Sequence, residues 1–376
     1  MNIVILTVFI LTCFLLTGIE REYVIPYLKW IAIIPYCLIV ANRSLTVPDT
    51  ESYFEYFTST GSGFDDFGNS YFEIGFQIFT KILKFIFQGG FILYLGVITL
   101  FNLVIIDLSV TRVGNMFKYE QEEGGGADSI RIMDNGFFNN PYFAVLPLTL
   151  YIAYYGMYVN AIVLRVGITF SLLFWASSFA IKERKNVADY FMILFLCVLS
   201  YFFHSTALIG FLVVAILLLK ISFTKMTYVY IWLFIGLTYF SNLSKWLANS
   251  VFSFVASLNE LAVMAARISA YEDSLFDGVG GISMKFMFFW CMGLLLILNG
   301  FSSKIYSKYL NVYLVGLAIF ALFRSALLVE RVTDYFLFFS FVVFYLFLIM
   351  QWPRKFWVTY VPMVVIQLIF ILRIIK

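Results

Sequence analysis

The chain has 376 residues, 62% of them hydrophobic and only 12% charged, with a net charge of +3. A soluble domain is nearer half apolar and a quarter charged, so one aqueous fold is excluded and a multi-span membrane protein is expected. The small, scattered positive charge gives no footing for nucleic acid, and the four cysteines, none in C-x-x-C spacing, support neither a metal knuckle nor a disulfide framework.

An apolar helix crosses about 30 Å of hydrocarbon with about 17–25 residues. Runs of this kind fall at 1–19, 27–42, 90–110, 141–159, 161–181, 187–203, 205–220, 227–243, 284–300, 309–329, 332–350 and 356–374. They predict an all-α bundle of about twelve transmembrane helices forming a single domain over 1–376. Met1 enters the first run with no basic flank, so that run reads as a span and not as a cleaved signal peptide. The 25 Tyr and 45 Phe suit interfacial belts.

Basic residues in short loops set the orientation. Lys182-Glu183-Arg184-Lys185 marks a cytoplasmic loop. Alternation then places Lys220 with Lys225, Lys304 with Lys308, and Arg354 with Lys355 on the same side. Segment 111–140 becomes a large cytoplasmic loop, while 43–89 and 244–283 become extracytoplasmic loops. Residues 42–72 carry Arg43 against Asp49, Glu51, Glu55, Asp65 and Asp66, which suits the outer side. Segment 73–88 is helical in pattern but holds Glu73, Gln77, Lys81, Lys84 and Gln88. It reads as an amphipathic helix in the outer interface; a marginal span is the alternative.

A cation near hydrocarbon needs a partner, a wet cavity or an anionic ligand. Arg43, Arg165, His204, Arg267, Arg324 and Arg331 all fall on the predicted outer side, accompanied by Asp49, Glu73, Glu272, Glu330 and Asp334. Neither a Gly-rich phosphate loop nor a dinucleotide fingerprint is present, and His204 as the only histidine excludes a His-ligated metal site. Pro48 breaks any helix, so Asp49 and Thr50 read as caps for a helix through Tyr53, with Asp49 paired to Arg43 or else serving a sugar or diphosphate site. Arg165 lies about one turn inside its span, either paired with a carboxylate or holding phosphate oxygens in its planar fork. His204 is a turn residue, either bonded to a carbonyl or acting on a phosphate or proton. Arg267 and Tyr271 share a face if helical, and Tyr271 is then a sugar platform or part of a solvated loop. Arg331 and Asp334 are near enough to pair, so one Arg of this corner is tied structurally while another is left for an anion.

Taken in order, these segments resemble the Wzy-type polysaccharide polymerases, in particular the EpsG-like branch. The matching elements are Arg43 with Asp49-Thr50 and Tyr53, Phe72-Glu73-Ile74-Gly75-Phe76, Leu164-Arg165-Val166-Gly167, and Phe203-His204-Ser205-Thr206-Ala207-Leu208. Arg267 with Tyr271, and Arg331 with Tyr335-Phe336, follow. Val166 stands where that branch usually has Gln, and Ile74 where it usually has Pro. The resemblance implies a GT-C-like helical glycosyltransferase of a bacterial cytoplasmic (inner) membrane, working on the outer leaflet. It would move a growing O-antigen, capsule or exopolysaccharide chain from undecaprenyl diphosphate to the non-reducing end of a lipid-linked repeat unit. No cofactor or catalytic metal is expected; the partners are the lipid-linked oligosaccharide, membrane lipids and a chain-length regulator.

On that reading Arg165, Arg267 and Arg331 stabilise the departing diphosphate, with Arg324 in reserve. Asp49 is the expected base with Glu73 behind it, and His204 a diphosphate contact. Arg43, Tyr53, Tyr271 and Tyr335 complete the substrate-binding set. A flippase is the rival from another class, but it calls for charge along a mid-membrane path, and mid-span positions are nearly uncharged. A membrane O-acyltransferase would use His204 at a carbonyl, and an O-antigen ligase would share the polymerase's substrate.

Overall fold

The computed structural model describes residues 3–20, 27–60, 72–87, 90–123, 143–219, 221–241, 246, 250, 283–299, 303–324, 329–351 and 356–375. They are helical, with no strand among the described residues, as expected where hydrocarbon forces backbone groups to be satisfied within each segment. The helices are α1 (Ile3–Ile19), α2 (Leu28–Ala41), α3 (Thr50–Ser59), α4 (Ile74–Phe87) and α5 (Phe91–Glu123). Next come α6 (Leu146–Tyr151), a π turn (Ile152–Gly156), α7 (Met157–Ala161), α8 (Leu164–Ala180), α9 (Val187–Phe203) and α10 (Ala207–Leu218). The rest are α11 (Lys225–Phe240), α12 (Met284–Asn299), α13 (Lys304–Leu322), α14 (Val329–Leu337), α15 (Ser340–Met350) and α16 (Phe356–Ile375). They group into two compact units, one of Met1–Leu218 with Phe344–Lys376 and the other of Leu219–Val343.

Among the described residues, three stretches are long and apolar enough to cross a membrane: Phe91–Gln121, Lys304–Leu322 and Arg331–Met350. Shorter apolar helices at Thr7–Ile19, Leu28–Ala41, Leu164–Ala180, Val187–Phe203, Ala207–Leu218 and Met284–Leu298 accompany them. Several predicted boundaries are corrected. The run 90–110 continues as α5 to Glu123, so the start of the expected 111–140 loop is helix. At 1.5 Å per residue, α5 is about 50 Å long, more than hydrocarbon requires. The run 309–329 begins earlier, at Lys304, with Lys308 buried inside the helix and not in a loop. The run 332–350 falls within the span-length stretch Arg331–Met350, with a turn at Phe338-Phe339 between α14 and α15. Arg267, Tyr271, Glu272 and nearly all of 244–283 lie outside the described residues.

The first unit is tied together by polar groups inside apolar helices. Lys29 Nζ on α2 donates to Asp107 Oδ2 on α5 at 2.7 Å, with both side chains nearly sealed from solvent. A buried pair contributes little net stability, but losing one partner strands the other charge, which costs about 3–5 kcal/mol. Lys29→Met is therefore expected to lower the unfolding midpoint in detergent sharply, and Lys29→Met with Asp107→Leu to recover most of the loss. At the end of α1, Glu20 accepts the backbone N–H of Ala144 and Val145, satisfying two orphan donors at the start of α6. The basic 182–185 segment is a tight connection: Asn186 and Asp189 form a capping box at the start of α9, and Lys182 pairs with Asp189 at 2.7 Å.

Helix α4 wears its amphipathicity inside out. Gln77, Thr80 and Lys81 are buried, while Ile78, Ile82, Phe85 and Ile86 are exposed. Phe76 and Leu83 join these polar groups on the buried face, while the exposed face is apolar. Lys84 donates to the carbonyls of Phe57 and Thr60, so a cation completes the C-terminal end of α3.

In the second unit, Trp232 on α11 and Trp290 on α12 stack at 4.3 Å. Each indole N–H donates to the other residue's carbonyl, at 2.7 and 3.1 Å. Gly236 leaves the room: a Cβ there would meet the Trp290 ring at 2.6 Å.

Candidate functional site

The ends of four helices in the first unit meet around one carboxylate. Glu73 immediately precedes α4, Arg165 lies in the first turn of α8, His204 is the C-terminal cap of α9, and α3 brings Tyr53. Two glycines allow the approach, each two residues after a charge. A Cβ on Gly75 would stand 2.6 Å from the carbonyl oxygen of Phe202, and one on Gly167 would stand 2.6 Å from that of Val159. The close crossing of α4 on α9 at Gly75 thus sets Glu73 beside His204, and the crossing at Gly167 seats the first turn of α8.

Arg165 Nη1 donates to Glu73 Oε2 at 2.5 Å. His204 Nδ1 lies 2.7 Å from Glu73 Oε1, which also accepts the Ser205 N–H at 3.4 Å. The three side chains are about one-fifth exposed (19% for Arg165, 21% for His204, 22% for Glu73), so the cluster is sheltered yet reachable. The Arg165 guanidinium stands 4.8 Å over the Phe72 ring. Phe72 in turn packs on Tyr53 and Tyr56, at 5.7 and 4.5 Å between ring centroids. Burial opposes the charge on Glu73, but the His204 hydrogen bond and the Arg165 guanidinium outweigh it and hold its pKa down to about 2. Burial raises the pKa of the Tyr53 phenol despite Arg165 nearby, which keeps Tyr53 a neutral hydroxyl.

Beneath this cluster is a second polar layer. Arg43, buried, donates from Nε to Thr50 Oγ1 at 2.9 Å and from Nη1 to the Asn160 carbonyl at 3.0 Å, while its Nη2 makes no hydrogen bond among the described residues. Burial lowers its pKa to about 10, still well above neutral. The expected Arg43–Asp49 pair is replaced by these bonds, which tie the end of α2 to α3 and α7. The Asn160 side chain accepts from Asn102 at 2.8 Å and donates to Tyr151 at 3.0 Å.

The capping reading of Asp49 is corrected as well. Asp49 adopts φ 63, the left-handed region, and its side chain makes no capping bond to α3. It is exposed. A non-glycine residue held in that region carries local strain, a feature that gathers at functional sites.

The remaining predicted residues belong to the second unit. Arg324 Nη1 donates to the Tyr239 carbonyl at 3.0 Å, and its guanidinium stands 4.7 Å over that ring, so it is engaged at the end of α11. Asp334 does not hold Arg331: it is buried, and Lys285 Nζ meets its Oδ1 at 2.8 Å. Arg331 is exposed on the first turns of α14, and Tyr335 is buried. Reading the sequence missed Phe72 as the plate under Arg165, together with Tyr56, Asn102, Asn160 and the Lys29–Asp107 pair. Asparagine and aspartate within apolar runs were the available signal.

Apolar helices crossed by a polar, charge-paired cluster define a helical membrane protein with a built polar site. The EpsG family model matches residues 26–376, and the chain belongs to the EpsG family. Membership agrees with a role of polysaccharide-polymerase type. No curated protein and no solved structure matches the chain.

Proposed function

We propose that this protein is a polysaccharide polymerase of the bacterial cytoplasmic (inner) membrane. It joins oligosaccharide repeat units carried on undecaprenyl diphosphate, with its site toward the outer face. The growing chain leaves its lipid carrier and is attached to the non-reducing end of the next lipid-linked unit. The observation that carries this reading is the Glu73–Arg165–His204 cluster, assembled from distant segments inside a chain of the EpsG family.

Breaking a sugar–diphosphate bond requires stabilising the negative charge that develops on the leaving group. Arg165 is suited to it. Its guanidinium has five N–H donors, Glu73 engages Nη1, and Phe72 beneath fixes the plane. The partly exposed rings of Phe72 and Tyr56, backed by buried Tyr53, offer flat apolar plates, Tyr56 with a hydroxyl tip, which suits the faces of sugar rings. Arg331, exposed, is a separate candidate for an anion contact on the second unit, and Arg267 and Tyr271 are candidates by residue type. The Lys29–Asp107 pair does not favour a flippase, because both side chains are sealed by packing.

Deleting the protein in its host and resolving surface polysaccharide on a gel tests the reading. Single repeat units in place of a ladder are expected. Complete loss of surface sugar would overturn the polymerase in favour of a flippase or ligase.

A further inference from the structure

We infer that His204, with Glu73 as its positioning residue, is the general base that takes the proton from the acceptor hydroxyl. The inference rests on the polymerase reading and moves this role away from Asp49. An ionised carboxylate only accepts hydrogen bonds. Glu73, held ionised by its neighbours, therefore requires His204 Nδ1 to carry the hydrogen in their 2.7 Å contact. That fixes the tautomer: in neutral imidazole the lone pair is then on Nε2. Nε2 makes no hydrogen bond among the described residues, and the side chain is 21% exposed, so the lone pair is open to a ligand.

Glu73 also has a reason to be there beyond charge balance. Arg165 already supplies its counter-charge, and the second carboxylate oxygen is spent on the imidazole and on the Ser205 N–H beside it. A carboxylate that anchors the far nitrogen holds the ring in one orientation and stabilises the imidazolium formed when Nε2 accepts a proton. Asp49 has no such anchor. Its carboxylate is exposed and makes no capping bond, and a base must be held within hydrogen-bond reach of the proton it removes. Histidine is also the residue type that exchanges protons most readily near neutral pH.

The step balances. The acceptor oxygen forms a bond to the anomeric carbon of the donor as its proton passes to His204 Nε2. The bond from that carbon to the phosphate oxygen breaks, and its electron pair leaves on the lipid diphosphate. The imidazolium then returns the proton to water.

The test uses membranes containing the full chain and, as probe, lipid-diphosphate-linked repeat units extracted from the deletion host. Polymer formation is followed from pH 5 to 9 for wild type, His204→Ala, His204→Gln, Glu73→Gln and Glu73→Asp, with each protein's abundance checked by blot. Wild type is expected to lose activity on the acid side as the base protonates. Both His204 variants are expected to run about 10²–10⁴-fold slower with that limb flattened. Glu73→Gln is expected to lower kcat with KM little changed, because the imidazole loses the carboxylate that fixes its tautomer and orients Nε2, and Glu73→Asp to restore part of the rate. A merely structural Glu73 would lower abundance and activity together, with no rescue by aspartate. If wild type polymerises the units while an abundant His204 variant stays within threefold and keeps the profile, the base assignment is overturned and the polymerase stands. If the limb vanishes in Asp49→Asn instead, the assignment is likewise overturned. If wild type leaves the units single, the polymerase reading falls and the base with it.

Discussion

Replacing Arg165 with alanine is expected to abolish the polysaccharide ladder while the protein remains in the membrane at normal abundance. The guanidinium stands where three influences meet: the Glu73 carboxylate, the Phe72 ring and the Tyr53 hydroxyl. On the proposed chemistry it meets the diphosphate as charge develops there. Losing one preorganised donor to a developing anion typically costs about 10²–10³-fold in rate, and losing a full charge costs at least as much. A structural effect must be separated from this one, since the variant also leaves Glu73 with one partner fewer. Glu73 is not stranded, however, because His204 and the Ser205 N–H still reach its other oxygen. Arg165→Lys makes the distinction. Lysine keeps the charge for Glu73 but lacks the planar fork and stacks poorly, so it should restore whatever Arg165→Ala loses in thermal stability while leaving polymer formation strongly impaired. A ladder of normal length in an abundant Arg165→Ala protein would remove this residue from the site.

Much of this architecture can be read along the chain, and the parts that cannot share a cause. Apolar runs locate helices well where they end at charged or capping residues: 187–203 coincides with α9, which Asn186 and Asp189 cap. They fail where hydropathy and backbone diverge. The last turns of α5 carry Lys118, Glu120, Glu122 and Glu123 and resemble a loop in composition, yet they continue the helix. The turn at Phe338-Phe339 leaves no trace in an unbroken apolar run. The site divides similarly. Glu73, Arg165 and His204 stand out because charge is scarce in such a chain. Their mutual pairing is not visible, because Arg165 and His204 are 92 and 131 positions from Glu73. Asp49 shows the limit of local rules: Pro-Asp-Thr ahead of a helix has the pattern of a cap, but the backbone adopts the left-handed region and the side chain makes no capping bond.

The glycine two residues after Glu73 leads to the second large effect. Gly75→Ala is expected to slow polymer formation about 100-fold with only a modest fall in stability. An added Cβ would lie 2.6 Å from the Phe202 carbonyl oxygen, 2.8 Å from its carbonyl carbon and 2.9 Å from its Cβ. Two of these atoms are backbone and cannot rotate aside, so α4 must move off α9 by something on the order of 1 Å. Overpacking of this kind costs about 1–3 kcal/mol, which a well-packed bundle can survive. The geometry of the cluster is less forgiving. Glu73 is fixed at the start of α4 and His204 at the end of α9, so the displacement acts directly on their 2.7 Å contact. A misplacement of about 1 Å can reduce a reaction about 100-fold without touching a reacting group. Gly90→Ala is the matched control, since nothing lies within 4 Å of a Cβ there, and it should polymerise as wild type does. Equal activity in the two glycine variants would mean that the α4–α9 crossing does not position the site.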